Sequence, residues 1–188
     1  MKTLIMIAGI NGAGKTTLRQ KYSQLFSKMV VIDSDDFLKT FNGNWRKTND
    51  RIKAILQANK ALQMAFEKGQ SIVWEVEMAI KNIKIDEKLI TKAHDLGYQT
   101  KLIYVTVKDA ALSLERVLHR FKKGGYGGSQ LQVKERYQRV SQNIIRLLSL
   151  FDEVVIFDNT HDLKCVYDQN KKEVKVNLLT TTPWIKIK

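Results

Sequence analysis

The 188-residue chain has one cysteine, Cys165, and one proline, Pro183. A lone thiol cannot close an internal disulfide, so the fold must rest on a buried core, and a reducing cytoplasm is the expected compartment. His94, His119 and His161 lack triad or metal spacing, and no Cys/His cluster has the ligand spacing of a zinc site. Long apolar runs are missing too. Leu4 to Ile10 is far too short to span a bilayer, and Lys2 alone does not make a secretory leader, so no membrane association is expected. Without repeats, low-complexity tracts or Pro-rich linkers, the chain shows no boundary between independent domains, which predicts one domain over 1–188. Acids are the scarce charge, 19 against 32 Lys and Arg, for a net charge of +13 at pH 7. That surplus favours anionic partners but does not choose among phosphorylated metabolites, nucleic acid and acidic proteins.

Hydrophobic residues make up 44% and charged residues 27%, an ordinary globular balance that argues against wholesale disorder. Apolar, β-branched stretches at 2–8, 29–33, 71–75, 101–107 and 153–157 alternate with helical spacing at 15–27, 49–68, 81–96, 109–122 and 130–150. This order predicts the α/β class, with a mostly parallel sheet flanked by helices. Gly69 and Gly97 fall where helix C-caps belong, and Asp109 is placed to cap the helix that follows it. Beyond Asp158 the pattern changes. Cys165 to Tyr167 and Val174 to Leu178 flank a polar stretch, predicting a C-terminal β-hairpin over 161–188 added to a core of about 1–160.

Gly9-Ile10-Asn11-Gly12-Ala13-Gly14-Lys15-Thr16 matches the G-x-x-x-x-G-K-[ST] phosphate loop and lies between an expected strand and an expected helix. Its glycines let backbone N–H groups curl around phosphate oxygens, Lys15 reaches the β- and γ-phosphates, and the Thr16 hydroxyl can ligate Mg²⁺. A nucleoside triphosphate is the expected ligand. The motif alone leaves open hydrolysis, phosphoryl transfer or a conformational switch.

In an open α/β sheet, reactive groups gather at the carboxyl ends of strands. The second strand runs into Asp33-Ser34-Asp35-Asp36, where an Asp could take the proton of an attacking hydroxyl, or could simply cap a helix and fill its first turn. The third strand ends in Trp74-Glu75-Val76-Glu77. Glu75 is the favoured acid there, to bind a substrate hydroxyl or help hold hydrated Mg²⁺, whereas Glu77 is expected on the surface. Arg116 and Arg120 lie one turn apart just before Gly124-Gly125-Tyr126-Gly127-Gly128, an arrangement suited to a lid that brings guanidinium groups onto phosphates, or to a solvated face and a loose turn. Arg136, Arg139, Asn143 and Arg146 share a strip of the next helix, available to a phosphate-bearing acceptor or to support the lid.

The string IAGINGAGKTT at 7–17, followed by VIDSDDF at 31–37, resembles the zeta-toxin family of P-loop kinases. Arg116-Val117, Arg120-Phe121, Gly124-Gly125-Tyr126, Glu135-Arg136-Tyr137, Asn143 and Asp158-Asn159 are similar to further landmarks of that family, in the same order. The resemblance covers roughly 1–160. It implies a P-loop kinase-like fold and ATP- or GTP-dependent, Mg²⁺-assisted phosphorylation of a small molecule, with UDP-N-acetylglucosamine as the specific acceptor. Gly9, Asn11, Gly12, Ala13, Gly14, Lys15, Thr16 and Thr17 would bind the nucleotide, with Thr16 on the metal. Asp35 would be the general base. Asp33, Glu75 and Arg136 would contact the acceptor, and Arg116 and Arg120, with help from Arg136, would stabilise transferred charge. A separately encoded antitoxin is the implied protein partner. Tyr126 stands where small members have His, Trp74 to Met78 replaces a threonine-rich segment, and a His-Pro-His segment expected after Phe37 is absent. Other acceptors, including a polynucleotide end, and a basic nucleic-acid-binding NTPase are the competing readings, although no nucleic-acid motif is found.

Overall fold

The computed structural model describes residues 1–122, 130–171 and 173–185. The glycine-rich segment 124–128, with Tyr126, lies outside the described residues. Seven strands form one sheet: β1 (Thr3–Ala8), β2 (Val30–Asp33), β3 (Ile72–Val76), β4 (Gln99–Thr106), β5 (Glu153–Asp158), β6 (Lys164–Asn170) and β7 (Val174–Asn177). Their order is β2-β3-β1-β4-β5-β6-β7. The first five are parallel, while β6 and β7 join antiparallel, so the expected hairpin extends the β5 edge. Leu4, Met6, Ile7 and Leu102 on the central strands are fully buried, as a sheet covered on both faces requires.

The helices are α1 (Lys15–Lys21), α2 (Ser23–Phe26), α3 (Ser34–Thr40), α4 (Thr48–Glu67), α5 (Lys84–Asp95), α6 (Ala110–Lys122) and α7 (Gln130–Leu147). Four of the five expected helices are present with shifted ends. The expected helix over 15–27 is instead broken at Tyr22, whose backbone leaves helical geometry while its ring packs on Phe157, 5.8 Å away. Helix α3 answers to the alternative reading of Asp33-Ser34-Asp35-Asp36 as a cap followed by first-turn acids, although its seven residues are too few to display a helical period. Asp33 starts it by accepting a hydrogen bond from the Asp35 N–H at 2.9 Å. Asp109 caps α6 in the same way, through the Leu112 N–H at 2.8 Å.

Register positions the reactive ends. Asp33 of β2 stands opposite Glu75 of β3, and Ala8 of β1 opposite Val76, so the carboxyl ends of β2 and β3 flank the loop that leaves β1. On the other side Thr106 pairs with Asp158, bringing Asn159 and Thr160 alongside that loop.

The opposite rim of the sheet is tied by Asp152. Its carboxylate accepts the Thr100 N–H at 2.7 Å, faces His94 at 3.3 Å and pairs with Lys171 from the hairpin. Burial alone would raise the carboxyl, but the Lys171 ammonium and the Thr100 donors outweigh it and hold the group at about 2, against 3.8 in the open chain. A depressed folded value stabilises above 3.8 and loses that contribution as pH falls toward 2. Asp152→Asn is therefore expected to lower stability by roughly 2 kcal/mol at pH 7, with the difference shrinking toward zero near pH 2. Urea titrations of both proteins across that range check it, and a pH-independent gap would remove the charge from the explanation.

Candidate active site

The phosphate loop is built around close backbone approaches. Gly9 has φ +148°, and a Cβ there would meet the Val105 carbonyl oxygen at 2.2 Å, so only glycine lets the loop lie this close to β4. Gly14, at φ +103°, takes a backbone conformation that a side chain would strain, and a Cβ there would also displace Asn159 Nδ2, 2.2 Å away. That nitrogen donates to the Ala13 carbonyl at 2.8 Å, and Ser113 Oγ donates to the Asn11 carbonyl at 2.7 Å. The loop is thus fastened from β5 and from α6. Lys15 is buried and donates its ammonium to the Gly9 carbonyl at 2.8 Å, without an acidic partner among the described residues. A buried cation held only by a carbonyl is electrostatically incomplete, and an anion entering the loop would complete it.

Behind the loop lies a carboxylate cluster joined by one guanidinium. Thr16 Oγ1 donates to Glu75 Oε1 at 3.2 Å. Arg19 Nε lies 3.2 Å from Glu75 Oε2, a charge contact without hydrogen-bond alignment. Its NH2 reaches Asp36 Oδ2 at 3.3 Å and Asp33 Oδ2 at 3.8 Å. Sequence reasoning missed Arg19, though it lies four residues after Lys15 and hence on nearly the same face of α1.

The three aspartates separate by environment. Asp33 is pushed up to about 7, first by burial and then by the neighbouring Glu75 charge. Asp36 is held below the ordinary carboxylate value because Lys39, at 2.8 Å, and Arg19 outweigh its burial. Asp35 is exposed, lines the cleft, and its carboxylate makes no hydrogen bond among the described residues.

Asp33 supplies a pH test. A folded value raised from 3.8 to about 7 favours the protonated fold, a contribution complete below 3.8 and lost as pH rises through 7. Asparagine keeps the cap and never ionises. Asp33→Asn is expected to match the wild type near pH 4 and to be more stable at pH 8 by on the order of 1–3 kcal/mol. Thermal unfolding at the two pH values decides it, and equal melting at pH 8 would contradict the stated cause.

The basic wall is placed partly as expected. Arg116 and Arg120 both line the cleft, and Arg116 NH2 donates to the Thr160 carbonyl at 3.1 Å, which anchors α6 to the end of β5. The α7 strip is used differently. Arg136 pairs with Glu77 at 3.0 Å, Arg139 donates to the Ala79 carbonyl at 3.2 Å, and Asn143 donates to the carbonyls of Met78 and Ile80 at 2.9 and 3.0 Å. These side chains clamp the segment after β3, where Met78 takes a positive φ of 57°. Glu77 is therefore in the cleft wall rather than on the surface. The strand register ends at Val76, so the alternation that would assign Glu77 a face no longer applies there.

The phosphate loop, Asp33, Asp35, Glu75, Glu77, Arg116, Arg120 and Arg136 border one cleft of about 1150 Å³. The donors fit a nucleotide with Mg²⁺: backbone N–H groups and Lys15 for phosphate, and the Thr16 hydroxyl with Glu75 for hydrated metal. Among the described residues no three His, Cys, Asp or Glu side chains could hold a metal by themselves. Mg²⁺ characteristically needs only one or two carboxylates beside phosphates and water.

Comparison with known proteins agrees with this geometry. The sequence profile of the family described as Zeta toxin matches residues 1–172. A protein of Haemophilus influenzae, described only as uncharacterized, is 30% identical over 134 residues, 71% of this chain and 91% of that one. A structure from the PezAT chromosomal toxin–antitoxin system of Streptococcus pneumoniae superposes with TM-score 0.75 at 20% identity, covering 98% of this chain and 78% of that one. AvrRxo1-ORF1:-ORF2 with ATP gives TM-score 0.76 at 17% identity, covering 100% of this chain but 64% of that one, so the chain spans less than two thirds of its length. At these identities the solved structures speak for a P-loop kinase-like fold. The profile match speaks for ancestry, and on it the chain belongs to the zeta-toxin family.

Proposed function

We propose that the chain is a phosphotransferase that moves the γ-phosphoryl group of Mg-ATP or Mg-GTP to a hydroxyl of a small metabolite, with UDP-N-acetylglucosamine as the specific acceptor. The observation that carries this reading is the convergence, in one cleft, of the phosphate loop, the Thr16–Glu75 pair and the exposed Asp35. In this reading Gly9, Asn11, Gly12, Ala13, Gly14, Lys15, Thr16 and Thr17 hold the nucleotide. Mg²⁺, held through Thr16 and Glu75, neutralises phosphate charge when bound. Asp35 takes the proton of the acceptor hydroxyl as its oxygen bonds to the γ-phosphorus and the bridging bond to the diphosphate breaks. Arg116 and Arg120 face the charge that grows on the transferring group. Arg136 acts through Glu77, holding that carboxylate beside the acceptor, and Asp33 orients α3. The family and the relative from a toxin–antitoxin system support a cytoplasmic protein silenced by a separately encoded antitoxin.

Incubation with Mg-ATP or Mg-GTP and UDP-N-acetylglucosamine, read by mass spectrometry, tests it. The expected product is the sugar nucleotide carrying one additional phosphate. Nucleotide binding without that product would move the search to other hydroxyl acceptors. Absence of nucleotide binding would reject the kinase reading altogether.

A further inference from the structure

Lys15 and Thr16 open α1 as part of the phosphate loop, and Arg19, one turn further along, sends its guanidinium into the acids at the ends of β2 and β3. Two strands and a helix meet there. Asp33 and Glu75 stand opposite each other in the parallel register, and Asp36 lies in the first turn of α3. Arg19 Nη2 donates to Asp36 Oδ2 at 3.3 Å and lies 3.8 Å from Asp33 Oδ2, while Nε faces Glu75 Oε2 at 3.2 Å. The Arg19 side chain is 21% exposed and that of Glu75 only 6%, so solvent screens these contacts weakly. Arg19 itself sits behind the cleft wall formed by Asp33, Asp35 and Glu75.

Helix α3 depends on such a tie, because a helix of seven residues is not stable by itself. Phe37 and Leu38 pack its second half against the neighbouring apolar side chains. Its first turn is held differently. Asp33 accepts the Asp35 N–H, so the carboxylate that faces Arg19 also fixes the backbone of residue 35. Asp36 is held by Lys39 from within the helix and by Arg19 from α1. Asp35 therefore stands between two residues joined to one guanidinium, while its own carboxylate stays exposed to the cleft. Only a planar fork addresses three carboxylates at once; a lysine ammonium on a similar stem is a single point of charge.

We propose that Arg19 is a positioning residue that ties the phosphate-loop helix to α3 and so sets where Asp35 stands relative to the phosphate held by α1. The inference rests on the reading of Asp35 as the base for the acceptor hydroxyl. It adds a residue that acts through Asp35 instead of on the reacting atoms.

Two variants test it. Arg19→Met keeps the apolar stem and removes the fork, and Arg19→Lys keeps the charge as a single point. Amide hydrogen exchange over 34–40, followed by mass spectrometry, should quicken by about tenfold or more in Arg19→Met, with α4 unchanged as the internal control. Single-turnover transfer at saturating Mg-ATP should fall by about 10- to 100-fold in Arg19→Met and by less in Arg19→Lys, while ATP affinity stays within about threefold. In an Asp35→Ala background, Arg19→Met should cost less than about twofold more, because there is no base left to position. A residue needed only for stability would cost the same factor in either background. Unchanged exchange over 34–40 in a folded Arg19→Met protein, or an undiminished loss in the Asp35→Ala background, overturns the proposal. If Arg19→Met does not fold, Arg19→Lys carries the same comparisons with the same signs. The two readings fail separately. Quickened exchange in a protein whose wild type transfers no phosphoryl group would reject the kinase reading alone, whereas transfer indifferent to Arg19 would reject this inference alone.

Discussion

Lys15→Ala is expected to abolish phosphoryl transfer, lowering kcat/KM by about a thousandfold or more, the scale seen when a preorganised charge on the transferring group is removed. The ammonium is buried and, among the described residues, has no acidic partner and is held by the Gly9 carbonyl alone at 2.8 Å. It is a charge prepared for an anion, in a loop whose carbonyls are already tied down by Asn159 and Ser113. Because those two ties do not pass through Lys15, the alanine variant should keep the loop and melt within a few degrees of the wild type. Single-turnover transfer from radiolabelled Mg-ATP measures the effect. Turnover within tenfold of the wild type, in a folded variant, would show that the motif holds phosphate without contributing to the reaction.

The parts of this site that were legible in the sequence are those with a short, periodic or positional signature. The phosphate loop has a fixed spacing, and β1, β3 and β4 announce themselves as apolar runs whose carboxyl ends then follow from the α/β order. The register that sets Asp33 opposite Glu75 could be anticipated only as convergence at one end of the sheet. What was not legible depends on contacts distant in sequence. Arg19 reads as a surface cation of an amphipathic helix until β2, α3 and β3 bring three carboxylates to it. The basic strip of α7 has the composition of a phosphate-binding face, yet Arg139 and Asn143 spend their donors on backbone carbonyls at 78–80, freed when the chain leaves β3. Glu77 was misassigned for the same reason.

Asp35→Ala is expected to reduce phosphoryl transfer by about 10²- to 10⁴-fold while leaving nucleotide affinity within about twofold, the range that a general base contributes. Two carboxylates compete for the role, and their environments argue in opposite directions. Asp33, raised to about 7, has the proton affinity that suits a base at neutral pH. Its carboxylate, however, is occupied in capping α3, lies beside Arg19 and Glu75 and is only 12% exposed, which leaves an acceptor hydroxyl little room to reach it. Asp35 has the stronger claim on geometry, being exposed to the cleft with no carboxylate hydrogen bond to give up among the described residues. Geometry decides in this case, because a base must first reach the hydroxyl it deprotonates. Loss of the Asp35 charge should cost the first turn of α3 no more than about 1 kcal/mol, so an inactive variant would still be folded. Asp33→Asn retains the cap and should suffer a clearly smaller loss of turnover. The rates of the two variants, measured with the same acceptor and at saturating Mg-ATP, separate the assignments: a near-normal Asp35→Ala protein beside an inactive Asp33→Asn protein would transfer the role to Asp33.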